Sequence, residues 1–277
     1  MPSRNALRLA FIGFGEVGSR FARDLVNRPD IELTAYDILM DSPATAAAWQ
    51  AKARAAGVVP FATASEACAG AALIISAVTA SQAEPVARAA AGFLRKGQVL
   101  VDVNSASPGT KQRASAHVTA CGADYVEAAV MAPVLKLGIQ VPILAGGGRA
   151  AEIAAQLNAL GFNIDAVATE IGRASSMKLC RSIMIKGLEA LMVDCARASE
   201  AANVQAEVFA SLAGTFPSID WHALSADMAE RVATHGVRRS AEMFEAAAML
   251  DELGVHPGLA KAVAEAQLRG AKPKPVA

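Results

Sequence analysis

Leu7–Ile12 is a short, nearly continuous apolar run that stops at the turn Gly13-Phe14-Gly15-Glu16-Val17-Gly18. A run of that length bounded by glycine predicts a buried strand. Residues 19–26 then read as a helix with Val17, Phe21 and Leu25 on one face, and Ile31–Tyr36 as a second strand closed by Asp37. The rhythm continues with strands expected at 58–61, 72–78, 98–103, 125–129 and 141–145, and helices at 84–93, 111–120 and 150–160. Strands alternating with helices imply a mostly parallel sheet covered on both faces.

After Ile171 the pattern changes, and 172–268 reads almost wholly as helix, broken near Thr215-Phe216-Pro217-Ser218 and at 254–257. The expected organisation is therefore a sheet domain over 1–168 followed by an all-α domain over 169–277. The first helix of the second part carries Met177, Cys180, Met184, Leu188, Leu191 and Cys195 at three- and four-residue intervals, a pattern that predicts a buried face. Lys178, Ser182, Lys186 and Glu189 form a polar row along another side. Lys178 stands near the amino end, where the positive pole of the helix disfavours an ammonium. If the position is also desolvated, the lysine's pKa falls towards the range of a usable base. An ordinary solvated lysine is the alternative for this segment taken alone.

Composition narrows the possibilities. Hydrophobic residues make up 53% of the 277 and charged residues 19%, which excludes disorder and permits a real core. Lys+Arg and Asp+Glu number 26 each, so nothing in the net charge of zero points to nucleic acid. The four cysteines are scattered, with no Cys-x-x-Cys pair, and suggest neither a disulfide framework nor a metal site. The amino terminus runs straight into the first strand, and no apolar run approaches membrane-spanning length; a cytoplasmic protein without membrane partners is expected.

Strand, Gly13-x-Gly15-x-x-Gly18, helix, strand and acid stand in the order that a dinucleotide site requires. Gly13 makes the tight turn, Gly15 lets the backbone approach a pyrophosphate, and Gly18 lets the helix pack close. The backbone of Phe14, Glu16 and Val17 opens the helix whose N–H groups face the phosphates. Asp37 can accept from the adenosine ribose hydroxyls and would repel a ribose phosphate, and Ile38-Leu39-Met40-Asp41 offers no arginine. NAD is thus the expected cofactor, with NADP the alternative. The strand at 98–103 ends in Asp102-Val103-Asn104-Ser105-Ala106-Ser107-Pro108, at the strand end where α/β sheets bind ligands. A capped helix start accounts for Ser107 and Pro108 but leaves Asn104 and Ser105 over as candidates to hold a substrate carboxylate or hydroxyl.

These three motifs, the glycine turn, the 102–108 segment and the helix start at 172–178, occur in the order found in β-hydroxyacid dehydrogenases of the 6-phosphogluconate dehydrogenase-like superfamily, and the chain resembles that family from Leu7 to about Lys261. The resemblance implies a Rossmann-type domain, an all-helical domain that forms a homodimer, and an active site between the two. It implies Lys178 as catalytic acid/base, Asn104, Ser105 and Ala106 as substrate anchors, and Ala77, Val78 and Thr79, with Asn104, beside the cofactor's ribose and nicotinamide. Two departures stand out. Ser182 replaces the family's asparagine four residues after the lysine, and Met131-Ala132-Pro133 replaces a Ser-Gly-Gly turn. Proline removes a backbone donor and methionine adds apolar bulk, which implies a substrate larger or less carboxylate-centred than 3-hydroxyisobutyrate or tartronate semialdehyde.

In the helical part His235, Arg239 and Glu242 are spaced four and three apart; Arg239 is a candidate carboxylate anchor, with a salt-bridged helix face as the alternative. The pattern resembles an uncharacterised phosphogluconate dehydrogenase-like branch. The expected function is hydride transfer between NAD(P) and a 3-hydroxy acid or related secondary or primary alcohol. Imine reduction on the same scaffold, or NAD(H) sensing without turnover, are the alternatives; Lys178 favours alcohol chemistry.

Overall fold

The structure, a computed structural model, describes residues 7–271. In chain order the elements are β1 (Leu7–Ile12), α1 (Glu16–Leu25), β2 (Ile31–Tyr36), α2 (Pro43–Ala55), β3 (Val59–Pro60), α3 (Ala64–Cys68), β4 (Leu73–Ser76), α4 (Ala83–Ala90), β5 (Val99–Asp102) and α5 (Pro108–Ala120). They continue with β6 (Asp124–Val130), α6 (Val134–Leu137), β7 (Pro142–Gly146), α7 (Ala150–Ala159), β8 (Asn163–Ala168), α8 (Arg173–Ala201), α9 (Gln205–Thr215), α10 (Trp221–Glu252) and α11 (Gly258–Gly270). The chain divides into two compact units, Met1–Lys178 and Leu179–Ala277. The division falls inside α8, later than the boundary expected at residue 168.

In the first unit the described strands form one eight-stranded sheet in the order β3-β2-β1-β4-β5-β6-β7-β8. All neighbouring pairs are parallel except β6 with β7. Successive side chains of each strand enter opposite layers. Leu9, Phe11, Leu73, Ile75, Val99, Val101 and Val126 pack with Phe21, Leu25 and Trp49 on one face. Ala10, Ile12, Ile74, Leu100 and Tyr125 pack with Ala87, Ala114 and Val118 on the other. Burial on both faces is why β1, β4 and β5 read as unbroken apolar runs. Strand order reverses between β1 and β4, which places the turn after β1 and the loops after β4 and β5 along one edge, the edge at which such sheets bind dinucleotides.

The second unit is wholly helical among the described residues. Leu179 and Ala190 of α8 share a core with Met243, Ala246 and Ala247 of α10 and Ala260, Val263 and Ala264 of α11. Alanines let α10 and α11 approach closely, and at Gly236 a Cβ would lie 2.3 Å from Gln267 O. One further break interrupts the helical run: Asn203 adopts φ 57° and ends α8, a left-handed conformation that asparagine tolerates.

The expected buried face of α8 is reversed. Met184, Leu188 and Leu191 are exposed, as is Cys180, while Ser182, Lys186 and Glu189 of the polar row are buried. The reason is charge pairing inside the helical unit. Lys186 meets Glu242 at 3.0 Å and Glu189 meets Arg239 at 2.5 Å, so the buried charges of the polar row find opposite charges within the protein. The apolar row is left uncovered.

Candidate active site

The turn after β1 is tied down from both sides. Gly13 has φ 88°, and a Cβ on it would lie 2.4 Å from Ala77 O, so only glycine lets the β1 turn touch the loop after β4. A Cβ on Gly18 would meet Gly13 O at 2.5 Å, whereas one on Gly15 would meet nothing within 4 Å. Phe14 is buried against Phe11 and Trp49, and its N–H donates to Asp37 Oδ2 at 2.7 Å. Asp37 Oδ1 also accepts from Leu39 N at 3.1 Å. Gly15, Glu16 and the half-buried Val17 therefore form an accessible helix start, with no side chain capping its N–H groups. An open cradle over Gly15, unpaired N–H groups and a carboxylate at the end of β2 fit a dinucleotide.

The end of β5 is organised by a buried acid. Asp102 pairs with Lys111 at 2.8 Å and accepts from Tyr125 Oη at 2.6 Å and Asn104 N at 2.9 Å. Burial, with Asp102 and Glu127 nearby, pushes the Tyr125 hydroxyl far above its ordinary value, so it stays a donor. Asn104 spans two strand ends: its Oδ1 accepts from Val78 N at 2.6 Å and its Nδ2 donates to Ser76 Oγ at 3.1 Å. Ser107 caps α5, as its sequence position before Pro108 implies, and Ala106 is buried. Ala77 and Val78 are half-buried and Thr79 is exposed at the same edge. Met131 follows β6 directly, its N–H donating to Pro142 O at 2.9 Å.

Lys178 lies in the second turn of α8, and its ammonium donates to Ser105 Oγ. Of the residues singled out from sequence, these two are joined directly, beside Asn104 at the carboxyl end of β5. The start of α8 is held by Glu127, which sequence reasoning passed over. Its Oε1 accepts from Gly172 N at 2.7 Å and Ala174 N at 3.0 Å, and its Oε2 from Ser175 Oγ at 2.5 Å and Ser175 N at 3.3 Å. The available signal was a single acid inside the apolar run 125–129 of β6.

Ser182, His235 and Arg239 belong to the second unit. Ser182 Oγ donates to Glu242 Oε1 at 2.7 Å and accepts from Lys186 Nζ at 3.0 Å, so its one proton is committed and one lone pair remains. Arg239 is bound to Glu189, whose Oε2 also accepts from Gln267 Nε2 at 3.3 Å. His235 is half-buried on α10. Burial holds the Lys186 ammonium below its ordinary value, against the opposing pull of Glu242.

Strand order, glycine turn and the carboxylate after β2 define a nicotinamide dinucleotide-binding protein of the Rossmann type. The chain belongs to the family described as the NAD binding domain of 6-phosphogluconate dehydrogenase, whose model matches residues 8–151. A domain of unknown function, DUF1932, matches residues 199–269. Among solved structures the chain is similar to a conserved hypothetical protein from Sinorhizobium meliloti 1021, with 37% identity, 96% of this chain and 89% of that chain covered, and a TM-score of 0.81. It is similar also to the conserved protein MTH1747 of unknown function, described as structurally similar to 3-hydroxyacid dehydrogenases, with 31% identity, 95% and 99% coverage and a TM-score of 0.73. A 3-hydroxyisobutyrate dehydrogenase from Mycobacterium tuberculosis shares the fold at 16% identity, 95% and 93% coverage and a TM-score of 0.76. So does an imine reductase from Bacillus cereus, at 21% identity, 95% and 92% coverage and a TM-score of 0.55. The fold is that of the hydroxyacid dehydrogenases, and among the described residues no helix is long and apolar enough to cross a membrane.

Proposed function

We propose that this protein is an NAD-dependent oxidoreductase that interconverts a 3-hydroxy acid or related alcohol with its carbonyl compound, using Lys178 as acid/base. The observation that carries the reading is the Lys178 ammonium donating to Ser105 Oγ beside Asn104 at the cofactor edge of the sheet. When bound, the nicotinamide supplies the hydride acceptor. As the neutral amine Lys178 Nζ takes the proton of the substrate hydroxyl in the oxidative direction, and as the ammonium it returns that proton in the reductive one. Ser105 orients the amine and offers its hydroxyl to the substrate. Asn104 keeps the loops after β4 and β5 in register through Val78 and Ser76. Met131, at the end of the neighbouring strand, narrows the site towards apolar substituents.

In the helical unit Ser182, His235 and Arg239 are assigned to substrate recognition. Ser182 offers one acceptor lone pair, and the Arg239 guanidinium must share itself with Glu189. The substrate class is therefore less dependent on a carboxylate than that of a small hydroxyacid enzyme. Imine reduction is the second reading, motivated by the reductase that shares the fold; it needs a group that protonates the imine nitrogen, a part Lys178 can also play. Exposed Met184, Leu188 and Leu191 on α8 favour a homodimer through the helical region.

The test is a panel of 3-hydroxybutyrate, 3-hydroxyisobutyrate, 3-hydroxy-2-phenylpropanoate and cyclic imines, followed by NADH absorbance. Lys178→Met is expected to bind NADH as the wild type does and to lose about a hundredfold or more in turnover. Comparable turnover in the variant defeats the assignment, and consumption of imines alone selects the second reading.

A further inference from the structure

Gly172 stands immediately before α8, where serine, threonine, aspartate or asparagine would ordinarily cap the helix with its own side chain. Its φ of 106° reverses the chain into the helix but leaves the first N–H groups without a local acceptor. Glu127 takes them from another element. Two of its bonds go to Gly172 N and Ala174 N, and two to Ser175. A buried carboxylate is costly unless its lone pairs are filled, and here the positive pole of a helix fills them. The sheet makes room for it: Gly146 pairs with Glu127 across β6 and β7, and a Cβ on Gly146 would lie 2.6 Å from Glu127 Oε1.

Asp102 and Glu127 are register partners on β5 and β6 and face the same side of the sheet. Asp102, held by Lys111 and Tyr125, receives Asn104 N and so sets the loop that carries Ser105. Glu127 sets the turn that carries Lys178. Two neighbouring acids thus fix the two ends of the Lys178–Ser105 hydrogen bond. Lys178 is six residues beyond Gly172, about 9 Å along the helix, so any tilt at the capped end is passed to its amine.

We propose that Glu127 is the positioning residue of the site, capping α8 from β6 so that Lys178 is delivered to Ser105. The inference rests on the reading of Lys178 as acid/base, and the experiment separates the two. The full chain is prepared as Glu127→Gln, Glu127→Asp, Ser175→Ala and Lys178→Met. In Glu127→Gln the amides of 172–176 are expected to exchange with solvent about tenfold faster, the size of a lost cap. NADH binding, read by nicotinamide fluorescence, stays at the wild-type value because the Gly13 turn is untouched. Acetylation of Lys178 by acetic anhydride, counted by mass spectrometry against exposed Lys52, departs from wild type. With the panel compound that the wild type oxidises fastest, kcat falls about ten- to a hundredfold while KM holds, the usual effect of a misplaced group. Glu127→Asp, which keeps the charge on a shorter arm, recovers part of that loss, and Ser175→Ala shows a smaller loss in the same direction.

Wild-type Lys178 labelling and kcat in Glu127→Gln, with Lys178→Met inactive, overturn the positioning role and leave the acid/base reading standing. An active Lys178→Met overturns the acid/base reading itself. Should Glu127→Gln not fold, wild-type kcat and labelling in both Glu127→Asp and Ser175→Ala overturn the proposal, and a graded loss in the two supports it.

Discussion

Glu242→Leu strands an ammonium inside the helical unit. Lys186 Nζ lies 3.0 Å from Glu242 Oε1, and the side chains of both are about nine-tenths buried. At that separation the attraction is about 5–6 kcal/mol for an effective dielectric constant of roughly 20. Removing two charges from water takes back several kcal/mol, so the intact pair sits near break-even, whereas loss of one partner costs about 3–5 kcal/mol. Deprotonation caps that cost. Burial already lowers the folded-state pKa of Lys186 from 10.5, with Glu242 the leading opposing influence; without Glu242 it falls further. Between that lowered value and 10.5 the unfolded chain binds more protons than the folded one, so stability rises with pH across the window. Glu242→Leu is therefore expected to be destabilised by about 3 kcal/mol near neutrality and to regain part of this in alkaline buffer. Lys186→Met combined with Glu242→Leu is expected to be more stable than either single variant. Urea unfolding in a Trp49→Phe background reads the cycle, because Trp221 on α10 then reports the helical unit. Single losses below about 1 kcal/mol, or a double variant equal to the sum of the singles, would refute the reasoning.

Two further outcomes bear on the proposed function. Asp37→Asn keeps an acceptor for Phe14 N but removes the charge; the preference for NADH over NADPH should narrow by about tenfold, and equal wild-type affinities by fluorescence titration would remove Asp37 as the discriminator. Leu191→Glu places a charge in the exposed apolar row of α8; sedimentation velocity should then show monomers where the wild type shows dimers, and a monomeric wild type sinks the dimer reading.

The legible parts of the chain were those whose local pattern matched their burial. β1 and β2 follow their apolar runs to the residue, and the breaks at 215–218 and 254–257 follow proline and glycine. Other elements escaped notice for physical reasons. The helix α2 is alanine-rich with almost no polarity between its faces, so periodicity gave no signal. β8 is an edge strand, largely exposed, and lacks the buried run that marked the inner strands. The break at Asn203 needed one asparagine to adopt a left-handed conformation, which composition alone does not announce.

Of the candidate site, the pattern of residues along the chain marked the glycine turn, Asp37 and the Asn104–Ser105 loop, because each depends on spacing or on its place at a strand end, whereas Lys178 stood out through the family resemblance. Only the tertiary structure decided what holds them. Glu127 is 45 residues from the N–H of Gly172 that it caps, and Lys178 is 73 residues from Ser105. The fold likewise decided which face of α8 is buried. Periodicity assigned the interior to the apolar row, but Lys186 and Glu189 found partners in Glu242 and Arg239, on a helix some fifty residues away. Burial of charge depends on pairing across space, and no local pattern records the partner.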